Sequence, residues 1–324
     1  LYRKMYLHKT TTLSQVPTRK VYLTDSEWIA LVHRNLQGLT AKDLPYRAIG
    51  IKGQAVFTMK DYEKLTENVN VTLPLHQQLT QMQTVLERTL KRRLNKFFMS
   101  EKAKAVYESM NAMQIEVLMK DVETKSEAEY FQVLGQKVFE KEVLEVTQQV
   151  EMFAFVDIAY LVQQWMPQAK TRRQELEKMD NAPIPLKKIE GARLQVTAEG
   201  IRLLQYVATR VTPVRDYVGY SHLFIDEVQD VSLLWLGTLS NFYFRAKFTV
   251  VGDTYQSFTT SSTIFTLGTR HPELVELVFP NRTLTNRSLE ISYRCTAQIT
   301  RFANGILKWP LDKNVFPRTG SEVT

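Results

Sequence analysis

The residues best suited to chemistry lie between positions 226 and 294. Asp226-Glu227 follows the apolar run His222-Leu223-Phe224-Ile225, and Gly252-Asp253 follows the β-branched run Lys247-Phe248-Thr249-Val250-Val251. Both runs read as strands, and Leu233 to Phe244 reads as the helix between them. Strands joined by a helix predict a parallel sheet, which presents ligands beyond the carboxyl ends of its strands, where Asp226, Glu227 and Asp253 fall. Two adjacent carboxylates there suit nucleotide hydrolysis. Asp226 would hold Mg²⁺, largely through its water shell, and Glu227 would orient and deprotonate an attacking water. Taken alone, such a pair also fits a helix cap or a solvated loop.

The wider constellation narrows this. Asp226-Glu227-Val228-Gln229-Asp230 is followed by Gly252-Asp253-Thr254-Tyr255-Gln256-Ser257-Phe258 and later by Ser292-Tyr293-Arg294. It resembles motifs II, III and IV of superfamily 1 helicases of the UvrD/Rep type, in order and each on the expected element. The resemblance implies that Asp226 is the magnesium ligand, Glu227 the catalytic base, and Gln256 the sensor of the ATP γ-phosphate. It implies that Arg294 is an arginine finger, whose planar donors can neutralise charge on the γ-phosphoryl oxygens. Tyr293 takes the position that stacks on adenine, while Gln229, Asp230 and Asp253 orient ligands and couple sites. Without the family, Tyr293 reads as a half-buried strand tyrosine and Arg294 as a surface arginine.

Within that superfamily, Tyr220 to Glu227 and Phe248 to Asp253 are most similar to the HelD, or DNA helicase IV-like, branch. These are RNA-polymerase-associated ATPases that remodel or recycle stalled polymerase, and they carry a helical insertion ahead of motif II. The motif resemblance covers Tyr220 to Leu307. The fold class it implies is α/β: a RecA-like P-loop NTPase parallel sheet, part of motor domain 1A and the start of 2A, with a large, mostly α-helical inserted domain. The expected divisions are 1–215 for the helical region, 216–285 for the end of domain 1A, and 286–324 for the start of 2A.

Departures from the pattern shape the expectation. No G-x-x-x-x-G-K-[ST] occurs in the sequence, so nothing supplies the loop that cradles the β- and γ-phosphates. Motifs V and VI are also missing. The chain is therefore expected to be an internal segment of a longer motor, inactive by itself. After Gln256 the chain reads Ser257-Phe258-Thr259-Thr260-Ser261-Ser262-Thr263, without the family's base-stacking stretch, which favours a motor acting on protein; Phe265 could still stack.

The elements that must position these residues follow from pattern. Thr24-Asp25-Ser26-Glu27 is a capping box for a helix through about Leu36. From Gln54 to Leu134 there is no glycine, and Leu79, Met82, Val85, Leu86, Leu90 and Leu94 recur near the 3.6 period, so long helices are expected. A second helical block runs from Ser126 toward Met179, interrupted by Pro167, and a further helix from Ala198 to Arg210. Leu289 to Tyr293 reads as a strand, followed by a helix that Thr296 caps, with Ile299, Phe302, Ala303, Ile306 and Leu307 on one face.

Composition excludes several classes. The 324 residues include 44% hydrophobic side chains, too many for a disordered chain, and the single cysteine, Cys295, excludes an internal disulfide framework and a cysteine-rich zinc site. No apolar run approaches ~18 residues, so no membrane span is expected, and the location is read as cytoplasmic. Lys and Arg total 42 against 34 Asp and Glu, a net +8. The excess is local: residues 1–100 hold 16 basic and 7 acidic side chains, and residues 101–150 hold 6 and 10. Arg88, Lys91, Arg92, Arg93 and Lys96 form a stripe that either binds phosphates or is the solvated face of an amphipathic helix.

The expected function is an ATP- and Mg²⁺-dependent motor segment that acts on RNA polymerase on nucleic acid, with ATP closing a cleft on Gln256 and Arg294. The rivals are a conventional 3′→5′ DNA helicase, a polymerase-binding module with a degenerate motor, and a metal-dependent nuclease using Asp226, Glu227, Asp230 and Asp253.

Overall fold

The computed structural model describes residues 11–13, 22–176, 184–189, 193–213, 219–253, 256, 264, 272–289, 291, 293–308, 310, 311, 313 and 315–321. After a short strand β1 (Thr11–Leu13), helix α1 (Asp25–Leu36) begins at Thr24. The Thr24 hydroxyl accepts from the Glu27 N–H, and the Glu27 carboxylate accepts from the Thr24 N–H, the reciprocal cap that the sequence predicts. Trp28, Ile29, Leu31 and Val32 of α1 are buried.

Helix does not begin at Gln54. Lys52 and Gly53 take φ of 48° and 76°, the left-handed pair that closes a two-residue hairpin, and β2 (Ile49–Ile51) and β3 (Gln54–Phe57) pair across it. Helices follow as α2 (Met59–Glu67), α3 (Leu75–Phe98), α4 (Glu101–Glu108), α5 (Ala112–Met119), α6 (Glu127–Val138), α7 (Glu140–Glu151) and α8 (Ile158–Glu175). Long α3 buries Leu79, Met82, Leu86, Leu90 and Leu94 against α6 and α7, while Val85 faces outward. Each such leucine contributes ~1.5–3 kcal/mol through burial. Gly135 of α6 lets the helices close, since a Cβ there would lie 2.3 Å from the Phe98 ring. Pro167 does not interrupt α8 but sits inside it. Its ring faces solvent while Leu161, Val162, Trp165 and Ala169 are buried on the opposite side, so packing outweighs the lost backbone hydrogen bond.

Strands β4 (Leu186–Ile189) and β5 (Arg193–Val196) form an antiparallel pair, with β1 added in parallel alongside β5. Thr197 then caps α9 (Ala198–Val211). Strands β6 (His222–Ile225) and β7 (Lys247–Val250) are parallel, with α10 (Leu233–Phe242) between them in sequence and α11 (Pro272–Val278) following. Helix α10 ends two residues short of the expected Phe244. It packs closely on α9, where Gly237 abuts the Tyr206 ring. Helix α1 reaches α9, α10 and α11, and its first residue is tied to them: Asp25 Oδ2 accepts from the Ser232 hydroxyl at 2.5 Å.

One face of the β6–β7 pair packs inward through Ile225, Phe248 and Val250. On the other, Phe224 is 74% exposed. Its ring lies flat on His222 at 4.2 Å, and His222 Nε2 contacts Thr249 Oγ1 at 2.8 Å.

Chain contacts separate residues 1–280 from residues 281–324. In the second unit Thr296 caps α12 (Ala297–Ile306), as expected. Of the expected strand Leu289–Tyr293, the described residues 289, 291 and 293 lie outside regular structure. Nor is the apolar stripe of α12 buried. Ala297, Thr300 and Asn304 face inward, the Asn304 amide donating to the carbonyls of Pro310, Leu311 and Lys313, while Ile299, Phe302 and Ile306 are exposed.

The described residues thus form a mixed α/β fold, predominantly helical, with sheets of two or three strands. No helix among those residues is long and apolar enough to cross a membrane.

Candidate nucleotide site

Pairing between β6 and β7 extends past the strands and brings two turns together. Val251 N donates to Ile225 O at 2.8 Å, and Val228 N donates to Val251 O at 3.0 Å. The segment 226–228 therefore lies against 251–253, at the carboxyl ends of both strands, where a parallel sheet offers its ligand site.

Within the first turn, Asp226 Oδ1 accepts from the Glu227 N–H at 2.9 Å. Glu227 itself has φ 50° and ψ 40°, a left-handed conformation that a side chain other than glycine, asparagine or aspartate seldom takes. Such conformations persist where surrounding contacts hold them, and they concentrate at functional sites. The holding contacts come from Gln229, which is 2% exposed. Its Nε2 donates to Glu227 Oε2 at 2.7 Å, and its Oε1 accepts from the Asp253 N–H at 3.1 Å. One buried amide thus spans both turns.

Gly252 is required by that bridge. A Cβ at 252 would lie 2.2 Å from Gln229 Oε1 and 3.0 Å from Val228 N. Gln256 joins the same group, its Nε2 donating to Asp253 Oδ2 at 2.9 Å. The structure brings together Glu227, Gln229, Asp253 and Gln256 in one hydrogen-bonded chain, with Asp226 beside it. Asp226, Glu227, Asp230 and Gln256 are open to solvent, and Asp253 is half-buried.

Tyr293 and Arg294 belong to the second unit, both exposed, with the Tyr293 ring 4.8 Å from Phe316 and the Arg294 carbonyl accepting from Arg318 at 3.5 Å. Thr254, Tyr255, the segment 257–263, Phe265 and Ser292 lie outside the described residues.

The basic stripe divides. Arg88, Lys91, Arg92 and Lys96 are exposed on α3, whereas Arg93 turns to the protein. Its guanidinium donates to both Asp61 oxygens at 2.6 and 3.0 Å and to Val56 O at 3.1 Å, and stands 4.9 Å over the Phe57 ring. Sequence spacing grouped it with its neighbours because its partner is 32 residues away. Burial pushes the Asp61 carboxyl up, but the hydrogen bonds from Arg93 and Thr58 outweigh it and hold the pKa at about 2.

No family model matches the chain, and no curated protein matches it significantly.

Among the described residues, no group of three or more His, Cys, Asp or Glu side chains is placed to hold a metal ion. Mg²⁺ bound beside a nucleotide needs one or two carboxylates, the remaining positions going to waters and phosphate oxygens. The solvent-open carboxylate of Asp226 would meet that demand. For the phosphates the fit is partial, since the sequence has no glycine-rich lysine loop.

Proposed function

We propose that the chain is part of an ATP-driven superfamily 1 motor of the HelD type, a RecA-like parallel sheet carrying a mostly helical insertion, which remodels or recycles RNA polymerase on nucleic acid. The observation that carries this reading is the Gln229 bridge, which joins Glu227 to Asp253 across the ends of adjacent parallel strands. Asp226 would hold Mg²⁺ next to the phosphates, and Glu227 would accept the proton of the attacking water while Gln229 fixes its orientation. Gln256, held to Asp253, would report the γ-phosphate to the rest of the protein. The roles of Arg294 and Tyr293, arginine finger and adenine stack, rest on the motif resemblance.

The same reading redraws the domains. Because α1 packs on α9, α10 and α11, and α9 packs on α10, we assign both helices to motor domain 1A and place the insertion between them, in α2 to α8.

The test is made on the protein purified from its own cells. Mg²⁺-dependent ATP turnover is expected, with Glu227→Gln abolishing turnover but leaving ATP binding, and polymerase subunits are expected to co-purify. ATP turnover by residues 1–324 alone, or turnover indifferent to Glu227→Gln, would overturn the reading. The exposed row Arg88, Lys91, Arg92 and Lys96 favours a second reading, a conventional DNA helicase; strand displacement without polymerase would select it.

A further inference from the structure

Helix α5 has an unusual surface for its composition. Its sequence, Ala-Met-Gln-Ile-Glu-Val-Leu-Met, is mostly apolar, yet it contains no fully buried residue. Ile115, Leu118 and Met119 lean on the neighbouring core through α6. Met113 and Val117, four residues apart and so on one face, are 74% and 70% exposed. With Met110, Asn111, Gln114 and Leu118 they line an open groove of about 470 Å³. Exposed methionine and valine at helical spacing make an adaptable apolar track, because the unbranched thioether side chain repacks readily around different partners.

The surroundings are acidic in excess, although the Lys137 ammonium donates to Leu118 O and Lys125 lies just beyond. Between residues 108 and 123 the exposed charges are Glu108, Glu116, Asp121 and Glu123 against Lys120. This helix lies in the acidic part of an otherwise basic chain, residues 101–150 holding 6 basic and 10 acidic side chains. Those carboxylates repel nucleic acid and anionic membrane. They also oppose a second copy of the chain laid face to face, which would bring like charges together.

We propose that the α5 groove is a docking site for a lysine- or arginine-rich amphipathic helix of a partner protein. Its apolar stripe would lie along Met113 and Val117, and its cations would reach Glu116, Asp121 and Glu123. The proposal is independent of the nucleotide reading, since neither ATP nor Glu227 enters it.

The experiment uses the full chain and a fluorescent peptide of leucine and lysine at helical spacing, followed by anisotropy. Saturable binding that weakens as salt is raised is expected. Met113→Asp with Val117→Asp weakens it about tenfold or more. Glu116→Lys with Glu123→Lys weakens it separately, and both double variants keep the parent's melting temperature because the altered side chains are exposed. Peptides with serine for leucine, or glutamate for lysine, do not bind. Unchanged affinity in both double variants overturns the proposal, as does equal binding of the glutamate peptide, or binding to anionic vesicles in place of the peptide.

Discussion

The indole N–H of Trp28 donates to Glu199 Oε1 at 2.5 Å, although 171 residues separate the two in sequence. The same carboxylate accepts from the backbone N–H groups of Tyr22 at 3.0 Å and Leu23 at 3.4 Å. Burial nevertheless raises the Glu199 pKa, outweighing the three donors that favour the charged form. A carboxyl raised in the folded state stabilises most below its ordinary value, and that contribution is lost as pH rises through the elevated native value. Urea unfolding over a pH series should show this decline, and Glu199→Gln should flatten it. The variant should also cost about 1–3 kcal/mol, since an amide NH₂ then faces backbone N–H groups.

Asp61 titrates in the opposite sense. Its native pKa of about 2 lies below the ordinary 3.8, so its contribution is present above pH 3.8 and is lost as pH falls toward 2. Asp61→Asn should remove that acid sensitivity and destabilise the chain at neutral pH by on the order of 2 kcal/mol, leaving the Arg93 charge half-buried and unpaired. Chemical denaturation at pH 3 and pH 7 measures both effects.

Arg93 and its neighbours on α3 should separate in function. Arg88→Ala and Arg92→Ala should leave stability within about 0.5 kcal/mol. If that face contacts phosphate, each should reduce the salt dependence of oligonucleotide binding by roughly one unit of slope. Arg93→Ala should instead lower the melting temperature, through the lost Asp61 pair and Phe57 contact, and leave the salt slope unchanged.

Gly252→Ala should disrupt the Gln229 bridge. Its Cβ would meet Gln229 Oε1 at 2.2 Å, forcing the amide away from Glu227 and Asp253 at a cost of about 1–3 kcal/mol. In a Gln229→Ala background the cost should fall, with the residue of it due to Val228 N. Strict additivity of the two substitutions in urea unfolding would refute the steric coupling.

What could be read from sequence was what short-range chemistry decides. The caps at Thr24 and Thr296 each close within three residues, and both formed; β6 and β7 were visible as apolar runs ending in carboxylates. The hairpin at Lys52-Gly53 is hidden in the sequence by the long glycine-free stretch that follows it, which reads as helix from Gln54. Pro167 reads as a breaker because its local penalty is legible, whereas the packing of Trp165 and Ala169 that overrides it is tertiary. The spacing of α12 reads as amphipathic, but the Asn304 amide donates to three backbone carbonyls and the polar side faces inward. At the site, the carboxylates and glutamines at the ends of β6 and β7 are visible in the sequence. The Gln229 bridge and the inward turn of Arg93 are not, since each depends on a partner brought near by folding.

The bare side of β6 bears on how the chain behaves in concentrated solution. Phe224 lies flat on His222 above the β6–β7 ladder, so an exposed aromatic shelf stands on the surface, the kind of apolar feature that favours association between molecules. Phe224 therefore governs solubility more than folding, and a lysine in its place would act as a gatekeeper against aggregation.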